Sequence, residues 1–325
     1  MPTSVLRLEL TDSEAQQIRK VLDEVLLDAR MTDQYYFLEQ AHVLAHELPR
    51  RVREVFYGFK RNERDTTLHV VGSPLPLDDL APTPTRYVEA DTDYRINEAQ
   101  ILHGLYGSLL GEAIGYVSQR GGSAYNSIIP IPDLADVPNS SSGSRHDFGF
   151  HIEDAFHPAR PDYLGLVCLR NDEEAGTTVS SIEGLDTLSP AEWNVLFEPR
   201  FQIGHNPIHE TSGVIDEERQ AIFFGRRDSP YFRVNFAALK PDSLSGIERS
   251  AVEKLHDHLH ANKVTLSLKG GEFVYIDNYR CAHARDAYTP LPAGRSRWLS
   301  RLCFTSDLRR SSALRSTVLS RAIAA

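Results

Sequence analysis

Cysteine is scarce. Cys168, Cys281 and Cys303 are the only three in 325 residues, too few and too scattered for a disulfide framework or a cysteine-based zinc site. A reducing cytoplasm is the expected setting. Long apolar runs are missing too: no stretch reaches the roughly 18 consecutive apolar residues of a membrane-spanning helix. The N-terminus has no basic segment with an apolar core behind it, so no signal peptide is expected. Positive charge is in deficit, 35 Lys and Arg against 45 Asp and Glu, for a net charge of −10. A phosphate backbone demands a basic surface, so a general nucleic-acid binder is disfavoured. No internal repeat or low-complexity tract appears.

What is present fits a globular protein with a sizeable core: 41% of residues are hydrophobic and 25% charged. Residues 11–30 open on Thr11 and Glu14, a capping-box pattern, and then place Ile18, Val21, Leu22, Val25 and Leu26 at helical spacing. Further helices are expected over 34–57 and 97–114, with a short buried strand at 67–73 and a Pro-rich loop after it. From about residue 124 short β-rich runs alternate with turn residues, at 125–131, 147–153, 163–170, 199–203, 220–224, 230–236, 264–268, 272–277 and 297–305. That spacing predicts a sandwich or barrel. The expected fold is mainly β with a helical N-terminal third (α+β): a double-stranded β-helix, or jelly roll, flanked by helices. The helix at 244–261 interrupts the strands and reads as a covering element. The polar stretch 204–219 reads as a long loop, the kind that serves as a lid.

Within residues 146–158 sit His151 and Glu153. In a strand, residues two apart share a face, so the imidazole and the carboxylate converge. His-x-Glu by itself equally describes a surface strand with a salt-bridged glutamate. The downstream context changes the balance. Residues 271–283 read as a strand that turns and presents His283. Two histidines and a carboxylate form the ligand set of a non-haem Fe(II) oxygenase, with positions left open for substrate and O2. Arg297 follows, and a planar guanidinium is the usual fork for a carboxylate. A 2-oxoacid whose keto-acid end chelates the metal needs such an anchor for its far carboxylate.

Residues 151–158, Asp162 to Asn171, Thr177 with Thr178, Asp277 to His283, and Arg297 to Arg301 together resemble the clavaminate synthase-like Fe(II)/2-oxoglutarate oxygenases. Within these, the likeness is greatest to the free amino-acid β-hydroxylases of the asparagine and arginine type found in peptide-antibiotic pathways. It runs from about Ser118 to the C-terminus and more loosely over the N-terminal helices. The resemblance implies His151, Glu153 and His283 as catalytic Fe(II) ligands, Arg297 as the anchor of 2-oxoglutarate, and Thr178 as a hydroxyl donor to the same carboxylate. It places Gln119 and Ser144, with Glu153, near the amino-acid head group, and Arg301 on the substrate carboxylate. For Ser144 and Arg301 a loop cap and a surface ion pair are the equally weighted readings. Relatives that take cationic side chains carry acids where this chain has Asn235 and Ala237. An amide cannot neutralise a guanidinium, and a buried unpaired cation is costly, so a neutral or acidic amino acid is expected.

The implied function is hydroxylation of an unactivated carbon, C3, of an L-amino acid, with succinate and CO2 formed from 2-oxoglutarate and O2. Desaturation or cyclisation on the same iron and a non-catalytic jelly-roll binding protein are the alternatives. The implied organisation is one oxygenase domain over 1–325. Its parts are a mostly helical covering region at 1–120, a core at 121–310 and a C-terminal helix at 306–325. No nucleic-acid or membrane partner is expected, and oligomeric state is left open. Other histidines are read as structural. His42 and His46 fit a plain helix surface, His205 and His209 a loop, and His157 a supporting role. His256, His258 and His260 alternate along a helix and are expected not to share one face.

Overall fold

A computed structural model describes residues 3–87, 96–205, 218–240, 244–292 and 294–324. The N-terminal part interleaves helices with strands: β1 (Val5–Glu9), α1 (Asp12–Leu26), α2 (Gln34–Leu44), α3 (Arg50–Asn62), β2 (Thr67–Val71), α4 (Glu98–Ser108) and β3 (Glu112–Tyr116). The β-rich part follows with β4 (Asn126–Ile128), β5 (Phe148–His151), β6 (Tyr163–Arg170), β7 (Thr177–Ser181), α5 (Pro190–Leu196), β8 (Phe223–Gly225) and β9 (Pro230–Phe232). Then come α6 (Gly246–Ala261), β10 (Val264–Leu266), β11 (Phe273–Asp277), β12 (Cys281–Arg285), β13 (Trp298–Thr305) and β14 (Ala322–Ile323). The expected capping box is present: Thr11 accepts from the Glu14 backbone and Glu14 reaches back to Thr11.

The strands form two main sheets. The larger runs β1-β2-β11-β6-β13-β3-β14, with β4 also paired to β13; the smaller runs β10-β7-β12-β5. β6 shows why they stack. Its side chains alternate, and both faces are apolar, as a strand buried on both sides requires. Tyr163, Val167 and Leu169 pack with the N-terminal helices, while Leu164, Leu166 and Cys168 join Val179 and Cys281 of the small sheet. A further cluster fills the outer side of the small sheet, where Phe150, Ile152 and Ala282 meet Val252, Leu255 and Leu259 of α6. The layers are therefore helices, large sheet, inter-sheet interior, small sheet, helices. α4 lies so close on β13 that a Cβ at Gly107 would stand 1.8 Å from the Phe304 ring.

Several elements depart from the sequence expectation. The strand expected at 67–73 is present as β2, and the N-terminal third holds two more strands than expected: β1 and β3 also join the large sheet. The C-terminal helix expected at 306–325 is absent among the described residues; a 3-10 helix (Leu308–Leu314) leads into β14. The reason is pairing: β3 offers a free edge, and the amides of Gly115 and Val117 donate to the carbonyls of Arg321 and Ile323 at 3.0 and 2.9 Å. The run expected at 199–203 makes only isolated bridges, at Phe201 and Ile203. Most of the expected lid, 206–217, lies outside the described residues. No helix among the described residues is long and apolar enough to cross a membrane.

Candidate metal centre and co-substrate pocket

β5 and β12 pair antiparallel with His151 opposite His283. Partners in such a pair share a face, here the face toward the large sheet. Glu153 follows on the same side. One ligand atom from each of the three lies within 4.8 Å of the other two, and all three residues are buried. The Glu153 carboxylate is 3.4 Å from His283 Nε2 and 3.8 Å from His151 Nε2. The His151 Nδ1 sits 2.9 Å from the Gly149 carbonyl, where it can only donate. That fixes the tautomer and leaves the Nε2 lone pair for a metal. Burial, with His283 alongside, pushes the His151 pKa down to about 3, so the ring is neutral, as a ligand must be.

Arg301 of β13 completes the charge balance. It donates to Glu153 with one guanidinium nitrogen and to the Gln119 side-chain oxygen with another. Gln119 in turn donates to Asp154 at 3.2 Å. Burial alone would raise the Glu153 pKa, but Arg301 and then His283 hold it below the ordinary carboxylate range. The backbone of Glu153 is fastened by Asn278: the Glu153 N–H donates to Asn278 Oδ1 at 2.8 Å, and Asn278 Nδ2 donates to the Glu153 and Pro161 carbonyls at 3.0 and 2.9 Å. Asn278 was not singled out from the sequence, although it stands inside the motif that ends at His283.

A pocket opens from this cluster between the sheets. Glu153, His283 and Arg301 line it at one side, Arg297 and Thr177 also line it, and Ile128, Leu164, Leu166 and Leu299 supply apolar walls. Arg297 and Arg301 are four apart along an extended chain and so face the same interior. Arg297 is 4% exposed, and no carboxylate among the described residues lies within ion-pair distance of its guanidinium. Its Nε is buried without a partner, and burial lowers its pKa. A buried, unbalanced guanidinium is expensive unless an anion joins it. One nitrogen donates to Thr177 Oγ1 at 3.2 Å.

That contact corrects the expectation at Thr178. Thr178 pairs with Thr265 of β10, hydroxyl to hydroxyl at 3.0 Å, and strand alternation turns it away from Arg297. Ser144 is buried with an unpartnered hydroxyl, but Ser141, not Ser144, lines the cavity. Asn235 is the bridge partner of His151 on the edge of β5 away from β12, so its side chain shares the face of His151. His157 is structural, bonded to the Ala159 amide and the Ala324 carbonyl. His42 pairs with Glu112 at 3.0 Å. His209 lies outside the described residues.

The profile of the family described as "Taurine catabolism dioxygenase TauD, TfdA family" matches residues 104–303. The chain belongs to the TauD/TfdA family. Among TauD/TfdA relatives it is similar to enduracididine beta-hydroxylase of Streptomyces hygroscopicus, at 30% identity over 98% of this chain and 100% of that one. It is also similar to L-asparagine oxygenase of Streptomyces coelicolor, at 29% identity over 97% and 94%. Among solved structures, asparagine oxygenase with Fe(II), 2S,3S-3-hydroxyasparagine and succinate superposes with a TM-score of 0.90 at 27% identity, covering 98% of this chain and 99% of that one. The non-heme iron oxygenase OrfP with Fe and alpha-ketoglutaric acid gives 0.87 at 30% identity, with the same coverage.

Proposed function

We propose that the protein is an Fe(II)/2-oxoglutarate-dependent dioxygenase that hydroxylates C3 of an L-amino acid. The observation that carries this reading is a single cavity that joins a buried His-Glu-His cluster to an unbalanced buried guanidinium. The residues fit the implied metal: His151 and His283 offer imidazole nitrogens, Glu153 a carboxylate, and the carbonyl bond to His151 presets its ring. Bound iron would couple decarboxylation of 2-oxoglutarate to oxidation of the amino acid by O2. Arg297, with Thr177, would hold the far carboxylate of 2-oxoglutarate. Arg301 and Gln119 would hold the head group of the amino acid beside Glu153, and Asn235 would meet its side chain with an amide. The apolar walls would keep water from the bound substrate.

The same reading takes the stacked sheets as a double-stranded β-helix and the chain as one oxygenase domain. An amide at 235 favours a neutral or acidic side chain over arginine. The test is incubation with each amino acid, Fe(II) and 2-oxoglutarate, followed by mass spectrometry. A gain of one oxygen atom with equimolar succinate is expected, and loss of two hydrogens would mean desaturation. His151→Ala should lower succinate formation more than about 100-fold, beyond the usual cost of disturbing an outer partner, with an unchanged circular dichroism spectrum. Retained turnover would overturn the ligand set.

A further inference from the structure

α6 carries His256, His258 and His260, and the three do not share one face, as the sequence reading expects, but two of them do. His258 is buried against the small sheet's side, its Nδ1 3.2 Å from the Asn262 amide. His256 and His260 are four apart and share one helix face. Their Nε2 atoms are 3.1 Å apart and their ring centres 4.3 Å apart. A straight N–H···N bond would hold the centres about 5.4 Å apart. The closer centres show that the contact is not a straight N–H···N bond. A metal at about 2.05 Å from each nitrogen would subtend a bite of about 98°, between square-planar and tetrahedral.

The rings are also held in place. His256 stands edge-on to Phe236 at 4.9 Å, and His260 edge-on to Phe150 at 5.1 Å. Packing of this kind removes rotamers before a ligand arrives, which lowers the entropic cost of chelation. The pair sits behind the iron-site layer, since Phe150 precedes His151 and Phe236 follows Asn235.

We propose that His256 and His260 form a second metal site, taking a divalent cation of the zinc, nickel or copper class through two imidazole nitrogens and water. Imidazole suits these metals, and the Irving–Williams order puts Fe(II) behind them at a given site. Burial and the neighbouring His256 both lower the His260 pKa, which keeps its nitrogen available at neutral pH. The proposal does not rest on the reading of the triad.

The test is equilibrium dialysis of the purified full chain against micromolar free Zn2+, with bound zinc counted per chain. His256→Ala and His260→Ala should each bind one equivalent less than the unaltered protein. His151→Ala should lose a different equivalent, so that His151→Ala combined with His260→Ala loses both. Alanine is the better helix former at these positions, and circular dichroism checks that the fold persists. An unchanged zinc count in His260→Ala overturns the proposal, whatever His151→Ala does. An unchanged count in His151→Ala bears on the triad alone.

Discussion

His151 and His283 stand directly opposite one another across β5 and β12, with ring centres 4.1 Å apart. One antiparallel register thus brings together residues far apart in sequence, and Glu153 needs only the next same-face position to join them. A slip of one residue would turn His283 to the outer face, into the cluster beneath α6. The register of one strand pair is therefore what assembles the metal centre.

Among the described residues, no carboxylate pairs with the guanidinium of the buried Arg297. Arg297→Ala should weaken 2-oxoglutarate binding by about 2–3 kcal/mol, roughly 30- to 150-fold, as for one partner of a buried charged pair. Amino-acid KM should change little. Arg297→Met should leave the ligand-free Tm unchanged or raised, because an apolar side chain of similar size carries no desolvation cost. Calorimetric titration with 2-oxoglutarate and a thermal melt check both halves.

Thr177 and Thr178 make a matched pair of substitutions. Thr177→Val removes the hydroxyl beside Arg297 and should raise the 2-oxoglutarate requirement by about 1 kcal/mol, or several-fold. Thr178→Val removes only the bond to Thr265 and should leave that requirement unchanged. Equal effects in the two variants would refute the assignment of Thr177.

Asn278→Ala strips three hydrogen bonds from the turn that carries Glu153. The Glu153 amide is then buried without an acceptor, at about 1–3 kcal/mol of stability. Fe(II) affinity should fall about 10- to 100-fold, the usual cost of losing a group that orients a ligand. Denaturant unfolding and metal titration read the two effects separately.

Glu14 has its pKa lowered to about 2, chiefly by its hydrogen bonds from Arg51. A depressed carboxylate contributes stability that is present above its unfolded value near 4.5 and lost as pH falls toward 2. Glu14→Gln keeps the capping-box acceptor but loses the charge. Its Tm should lie below that of the unaltered protein at pH 7, and the gap should close as pH falls from about 4.5 toward 2. Melts across that range check it.

Much of the chemistry was legible in the chain. His151 and Glu153 are tied by strand alternation, a local rule, and the strand-turn before His283 and the fork at Arg297 are local signals too. The α1 capping box was equally readable, because its partners are three residues apart. Parity errors marked the limit. Thr177 and Thr178 differ only in which face of β7 they occupy, and that face is set by pairing with β10 and β12. The helix expected at 306–325 failed for a similar reason: the edge of β3, distant in sequence, captures the tail. His256 and His260 obey helical spacing, yet their convergence depends on Phe236 and Phe150 from other elements.

Read in the chain alone, side-chain chemistry and the periods of two and 3.6 residues single out the two histidines with Glu153, the guanidinium at 297 and the alternation of buried and exposed positions. Packing between distant segments settled which hydroxyl meets Arg297, that Asn278 fastens Glu153, and that Arg301 links the Glu153 carboxylate to the Gln119 side chain. Those contacts depend on strand register and sheet stacking, which are set by long-range packing between segments that no local window of sequence contains.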